Sequence, residues 1–452
     1  LGWYKEINYI MKIRHILANL LLLPLLLGKA NAQDSGRPKL PEKATLQQLI
    51  GYALENKISV RQAEIDEEIG RKDIASALSG WFPQISANGS YVHNFKIPTT
   101  FFNGQNLQMG QENTSALVLQ ADQQLLNPSL IQASKASKYI RQQNVQNTEN
   151  VKINAVVDVS KAYYDILTSE EQVKIIQENI ARLQKQYNDA KVRYETGLVD
   201  KTDFKRAQIG LSNAKADEKR TIELRKYKYE YLKQLLGLGT TDNLSLSFAD
   251  KNMESEILLD TTTNLSYENR IEYQQLLTAK RLQNINTQYQ KSTFLPSLSA
   301  YYNYAWDYRN QSFNSLYNQS FPRSAAGLTL SLPIFQGTRR FQQIQKSKLQ
   351  EERLDWDIIN LENQINSQYS LSMATYSSNL NDWKVSKENV ELSKEVYNTI
   401  KLQYDEGIKT YLDLMTAETD LRTSQLNYLN NLYAVLSSKL DVQKSLGTVI
   451  PQ

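Results

Sequence analysis

The stretch YETGLVDKTDF, residues 194–204, interrupts a long helical pattern, and YDEGIKTYLDL at 404–414 interrupts it in the same way. Tyr194 and Tyr404, Gly197 and Gly407, and Asp203 and Asp413 recur at a spacing of 210. Gly197 and Gly407 suit the left-handed C′ position that ends a helix, where a Cβ would clash. Leu198 and Ile408 follow at the place where a Schellman motif puts its apolar contact. Asp200 and Thr410 are then N-cap candidates, each with an acid three residues on, Asp203 or Asp413, to complement the next helix's positive end. Each stretch is a tight reversal between antiparallel helices, so the chain has two such tips.

The echo extends outward. Ala207 matches Ala417, Leu211 matches Leu421, and LLGL ending at 238 matches SLGT ending at 448. ENK at 55–57 matches ENR at 268–270, and WFPQISA at 81–87 matches FLPSLSA at 294–300. The chain therefore reads as two copies of one architecture, at 33–238 and 267–448, joined by a linker at 239–266. The period is far too long for a solenoid.

Between 129 and 194 there is neither Pro nor Gly. Its apolar residues Ile166, Val173, Ile176, Ile180, Leu183, Tyr187, Ala190 and Tyr194 step by seven, then by three and four, as in a coiled-coil seam. The second copy repeats the seam over 338–404 with Trp383, Val390, Tyr397, Ile400 and Tyr404, and with Ser386 and Ser393 as small fillers. A helix of this length spans about 100 Å, too long for a globular domain. The return helices expected at 202–236 and 410–446 cover only about half of that. In the first copy, a second short helix at 45–80, opening on Thr45, would complete the rod end to end.

Period-two alternation marks strands in two hairpins, at about 84–126 and 297–335. Ile85, Ala87, Gly89, Tyr91 and His93 share one face of the first strand, while Tyr302, Tyr304, Trp306 and Tyr308 share one face of the third. In the last strand Ala326, Leu328, Leu330, Leu332 and Ile334 alternate with smaller and polar residues. Strands of about 10–12 residues suit a tilted bilayer crossing, and the aromatic row suits an interface girdle. That reading turns Leu119, Tyr304, Trp306 and Leu330 to lipid and Gln120, Asn303 and Thr329 to a lumen. A soluble sandwich edge is the plainer alternative, but four strands neither build such a core nor close a membrane barrel, which needs about eight. The missing strands must come from other copies of the chain.

Residues 1–32 read as upstream residues plus a signal peptide: Met11, basic Lys12 and Arg14, an apolar run, and Ala30-Asn31-Ala32 before the expected cleavage. Four positive charges and one negative leave with that segment, so a formal charge of +4 becomes +1. A nearly neutral chain gives no argument for nucleic-acid binding. The chain has no cysteine, which excludes disulfides, thiolate metal sites and a thiol nucleophile. His93 is the only histidine after residue 32, and no phosphate-binding loop or nucleophile elbow accompanies it, so neither an enzyme nor a cofactor is expected.

An exported, duplicated chain of helix, strand hairpin, long helix and glycine reversal resembles the TolC-like outer membrane efflux protein family, the outer membrane factors. The resemblance runs from about Thr45 to Thr448 and is carried by the two tip stretches and by the FPQIS and LPSLS junctions. It implies a mostly α fold with a membrane β-barrel. Three copies would form a 12-stranded barrel in the outer membrane of a Gram-negative bacterium and a long α-helical barrel across the periplasm. It further implies an exit duct for a tripartite efflux or type I secretion system, working with a periplasmic adaptor (membrane fusion) protein and an inner-membrane pump of the RND or ABC type. The tips Gly197, Leu198, Val199, Gly407 and Ile408 would dock the adaptor. Tyr404 and Lys409 would close the mouth against Thr202 and Asp203, and Asp413 would face the pore. Thr416 departs from the family's second acidic position, and Lys409 makes a less directional clamp than Arg. Capping alone accounts for Asp203 and Asp413 equally well. The reading from another class is a secreted, non-channel coiled-coil structural or adhesion protein.

Overall fold

The structure is a computed structural model that describes residues 43–102, 104–197, 200–247, 253–259 and 264–449. The expected leader at 1–32 and the tip residues Leu198 and Val199 lie outside the described residues. The first repeat contains helices α1 (Leu46–Asn56) and α2 (Ile58–Leu78), strand β1 (Gln84–His93), a small ribbon of β2 (Thr99–Phe102) and β3 (Gln105–Gln108), strand β4 (Asn113–Leu126), and helices α3 (Pro128–Glu195) and α4 (Lys201–Leu236). The second contains α5 (Ile271–Ser292), β5 (Ser297–Asn310), β6 (Ser320–Ser331), α6 (Arg339–Asp405) and α7 (Tyr411–Leu446).

Thr45 opens α1 with a capping box, its hydroxyl and Gln48 serving each other's backbone N–H. The helical pattern then breaks at Lys57, whose ψ of 128° leaves the helical region, before α2 resumes. The cause lies in the matched sequences ENK and ENR. A Cβ on Gly237, just past α4, would stand 2.4 Å from the Asn56 carbonyl oxygen. One on Gly447, just past α7, would stand 2.4 Å from that of Asn269. Both glycines also carry positive φ, 72° and 69°, as left-handed helix ends. Each return helix thus butts against the break of its own repeat, and this completes the short rod beside the long one.

Along α3 the two short helices follow in succession. Lys152 pairs with Glu64 of α2 at 3.0 Å, and Lys228 of α4 pairs with Asp165 at 2.9 Å. The main core lies at this waist, where Leu49, Ile166, Leu232, Leu236, Leu432 and Leu436 are fully buried. Each such side chain contributes about 1.5–3 kcal/mol of apolar burial. Residues 253–259 of the linker between the repeats strap the helical hairpin of α6 and α7 there. Ile257 buries its side chain and accepts from the Tyr376 hydroxyl (3.0 Å), while Glu254 takes Lys387 (2.6 Å) and the Tyr428 hydroxyl (2.6 Å).

At the other end of the rods β1, β4, β5 and β6 form one antiparallel sheet in that order. Leu119 lies opposite Tyr304, Leu117 opposite Trp306, and Tyr304 opposite Ser324, from which Leu330 follows three alternations on. Gln120 lies opposite Asn303, whose partner Ala325 shares its face with Thr329. The register therefore puts the proposed lipid-facing set on one face and the proposed lumen set on the other. Two details differ from expectation. β4 and β5 are each 14 residues long, and β6 ends at Ser331. Leu332 and Ile334 fall beyond the strand, on either side of Pro333.

Candidate functional site: the helix tips

The reversals are built as their sequences require. After α6, Gly407 has φ 77°, its N–H reaches the Tyr404 carbonyl at 3.0 Å, and the Ile408 N–H reaches that of Gln403 at 2.8 Å, the full Schellman pair. After α3, Gly197 has the same φ of 77° and the same bond to Tyr194 at 3.0 Å. Among the described residues no atom beyond the chain neighbours lies within 4 Å of a Cβ built on either glycine, and Ile408 is 72% exposed rather than folded against its own helix.

The caps differ between the tips. Thr410 and Asp413 form a capping box, with the Thr410 N–H and hydroxyl donating to the Asp413 carboxylate at 2.9 and 2.8 Å. Those two bonds hold the Asp413 carboxyl below its ordinary range, with a smaller pull from Lys409. In the first tip Asp200 is itself the cap and accepts from the Thr202 hydroxyl and from the Thr202 and Asp203 N–H groups, which lowers its pKa likewise. Asp203 pairs with Arg206 at 3.6 Å instead of closing a box.

Tyr404 is half-buried against Ala190, Ala207 and Tyr411. The Arg193 guanidinium lies over its ring at 5.2 Å. Burial raises the Tyr404 pKa, Arg193 opposes the rise, and Asp189 and Asp203 add to it. Within one protomer neither Tyr404 nor Lys409 hydrogen-bonds Thr202 or Asp203. Thr202 is spent on Asp200, and the exposed Lys409 ammonium has no hydrogen-bond or ion-pair partner among the described residues. Arg193 escaped the sequence reading because a basic residue in a helix's last turn is ordinary dipole complement.

Packing inside each hairpin differs from packing between hairpins. Within α3/α4, Leu183, Leu211 and Ala214 cluster, and within α6/α7, Tyr397, Leu414, Ala417 and Leu421 do. Between the hairpins, toward the tips, a small cluster of Ala190, Ala207, Tyr411 and Met415 is joined by polar and aromatic contacts: Arg193 on Tyr404, Asp217 with Arg422 at 3.4 Å, and a buried Glu418 met by side chains of α3. Among the described residues no group of three or more His, Cys, Asp or Glu could hold a metal ion, and no helix is long and apolar enough to cross a membrane.

A duplicated chain with an open sheet at one end of paired rods and glycine reversals at the other matches one family model, described as outer membrane efflux protein, over residues 49–238 and 269–448. This chain belongs to the outer membrane efflux protein family. Among relatives, it is 20% identical to outer membrane protein TolC of Escherichia coli over 452 residues, covering 95% of this chain and 87% of the relative. It is 22% identical to TolC of Vibrio cholerae over 424 residues, covering 90% and 91%. The fold is that of the CmeC outer membrane channel of Campylobacter jejuni (TM-score 0.74, 17% identical, 90% and 86% covered). It is also that of the MtrE outer membrane channel of Neisseria gonorrhoeae in its open state (TM-score 0.70, 20% identical, 89% and 88% covered). In this outer membrane efflux protein the sheet end belongs to the outer membrane and the rods to the periplasm. The two matched segments leave out residues 239–268, which include the waist strap.

Proposed function

We propose that three copies of this chain close into a passive exit duct for a tripartite efflux or type I secretion system. The observation that carries the reading is a pair of unfinished flanks. The sheet ends on β1 and β6, each with one unpaired edge, and the outer helices α4 and α6 turn apolar residues outward. On α4 these are Ile209, Leu224, Tyr227 and Tyr231; on α6 they include Leu349, Trp356, Leu371, Leu392 and Leu402. Different surfaces on opposite flanks make a head-to-tail contact, which closes into a ring when the rotation fits. Three four-stranded sheets supply 12 strands, enough for an open lumen rather than one filled by side chains.

The tips are the closing end in this reading. Tyr404 and Lys409 of one copy meet Thr202 and Asp203 of a neighbour, and Asp413 sets the charge of the constriction. Support comes from the Lys409 ammonium, which has no hydrogen-bond or ion-pair partner among the described residues, and from a family neighbour described in an open state. The exposed Ile408 and the reversals at Gly197, Leu198, Val199, Gly407 and Ile408 offer the surface for a periplasmic adaptor, with an RND or ABC pump beyond it. The duct carries out no chemical step and binds neither cofactor nor nucleic acid. The family match favours this reading over a secreted coiled-coil adhesion protein.

The deciding experiment is extraction and reconstitution. A detergent-dependent, SDS-resistant trimer that conducts ions across planar bilayers is expected. Purification as a soluble monomeric rod would overturn the duct.

A further inference from the structure

Glu418 is 2% exposed, the one buried carboxylate among the described residues. It stands on the apolar face of α7, four residues after Leu414 and three before Leu421, where the heptad calls for a hydrophobe. Its donors all come from one face of α3. Asn179 Nδ2 (3.0 Å) and Arg182 Nε (2.9 Å) reach Oε1, and Gln186 Nε2 reaches Oε2. The Arg182 guanidinium also lies over the Tyr397 ring of α6 at 5.8 Å, so it touches both helices of the second hairpin.

We infer that Glu418 and Arg182 form a latch that positions the second hairpin against the first and must release for the mouth to open. The inference rests on the tips being the closing end. Three observations converge on it. Each hairpin is held internally by apolar clusters that survive a rigid-body swing, whereas between the hairpins only a small cluster at Ala190, Ala207 and Tyr411 accompanies the directional polar contacts of Glu418 and Asp217. Such a network has a made state and a broken state, with little between them. It is also under-satisfied: Arg182 Nη2, Asn179 Oδ1 and Gln186 Oε1 are buried without a partner in the protomer. Parting the hairpins lets water reach those atoms along with the carboxylate, so release is less costly than for a fully bonded network.

Position supplies the third observation. The strap residue Glu254 grips Tyr428 and Lys387 at the waist, and the reversal lies at Gly407. Along α7, Glu418 is about 15 Å from the strap contact at Tyr428 and about 10 Å from the helix start at Tyr411. A lever pivoting at the strap must break this contact before the tip moves far.

The test uses the full-length trimer in planar bilayers. Glu418→Gln keeps the side chain's size, and Arg182→Met keeps its length, so each removes one charge with little change of volume. Either should raise the open fraction about tenfold while leaving an SDS-resistant trimer. The exchanged pair, Arg182→Glu with Glu418→Arg, should return conductance toward the parent. Leu421→Ala, inside the second hairpin's apolar cluster, should lower the trimer's dissociation temperature without opening it. If Glu418→Gln fails to assemble, Arg182→Met alone decides. Parent-like conductance in the assembled charge variants, or equal opening by Leu421→Ala, would overturn the latch. If those variants stay closed while Tyr404→Phe with Lys409→Ser opens, the latch fails and the gate stands. A parent trimer without conductance under any condition refutes gate and latch together.

Discussion

Waist and tips use the same device, a helix ended by a left-handed glycine, and surround it differently. At the waist Gly237 and Gly447 press against the backbone of Asn56 and Asn269, beneath a strap and beside a core of fully buried leucines. At the tips no described atom beyond the chain neighbours lies within 4 Å of a Cβ built on Gly197 or Gly407, Ile408 is exposed, and neighbouring hairpins meet through a small cluster at Ala190, Ala207 and Tyr411 together with charges and rings. The conformation is set locally in both places. What differs is the surrounding packing, which fixes the waist and leaves the tips able to move. Local stability follows buried apolar contact, so opening is drawn from the tip end.

The largest expected effect separates the two ends directly. Gly447→Ala faces both left-handed strain and a backbone overlap, a cost of about 2–5 kcal/mol. Gly407→Ala faces strain alone, about 1–2 kcal/mol. The temperature at which the SDS-resistant trimer dissociates should fall much further for the waist variant. Equal falls would mean that the waist backbones are not in contact and that the comparison is wrong.

The sheet is a second fixed region, and its two faces can be told apart. Leu330 is 67% exposed in the protomer and lies on the apolar face, whereas Thr329 lies on the other. Leu330→Arg should cost about 2–4 kcal/mol near mid-bilayer and impair assembly, while Thr329→Arg should assemble normally. Recovery of trimer from membranes measures both, and equal tolerance of the two would leave the faces unassigned.

At the tips the expected change is in conductance rather than stability. Tyr404→Phe with Lys409→Ser removes one hydroxyl and one exposed charge and leaves the sheet and the waist core intact, so an SDS-resistant trimer should still form. Three copies each lose two closing contacts of about 1.5–3 kcal/mol if these bridge neighbours, and single-channel conductance should rise several-fold. A double variant that conducts like the parent would leave Tyr404 as seam packing only.

How much of this was legible depended on whether the signal was local. The positive φ at Gly197 and Gly407, the caps at Thr45, Asp200 and Thr410, and the face shared by Leu119, Tyr304 and Trp306 all follow from a few neighbouring residues. The sequence matches ENK/ENR and LLGL/SLGT were visible as repeats, but not that each pair packs together, because that contact bridges about 180 residues. Glu418 carries no local signal, since its partners Asn179, Arg182 and Gln186 lie more than 230 residues earlier. The strand end at Ser331 was masked by the alternation that Leu332 and Ile334 continue, and the proline beside them is no local marker, because Pro322 sits inside the same edge strand.

The smallest effect tests whether the tip carboxylates cap, select ions, or do both. Hydrogen bonds from Thr410 lower the Asp413 pKa, and those from Thr202 lower that of Asp200. A lowered folded pKa means a contribution that is complete above the unfolded value, about 3.9, and is lost as pH falls through the folded one. Amide exchange at Tyr411–Leu414, corrected for its intrinsic pH dependence, should therefore be slow at neutral pH and speed up below the ordinary carboxylate range. Asp413→Asn should flatten that dependence, because its amide can accept the same bonds without titrating. An unaltered pH profile would remove the carboxylate from the cap. Ion selectivity in the same variant reads the second role. A weaker cation preference beside a flattened exchange profile would show one side chain serving both, whereas unchanged selectivity would confine Asp413 to the helix end.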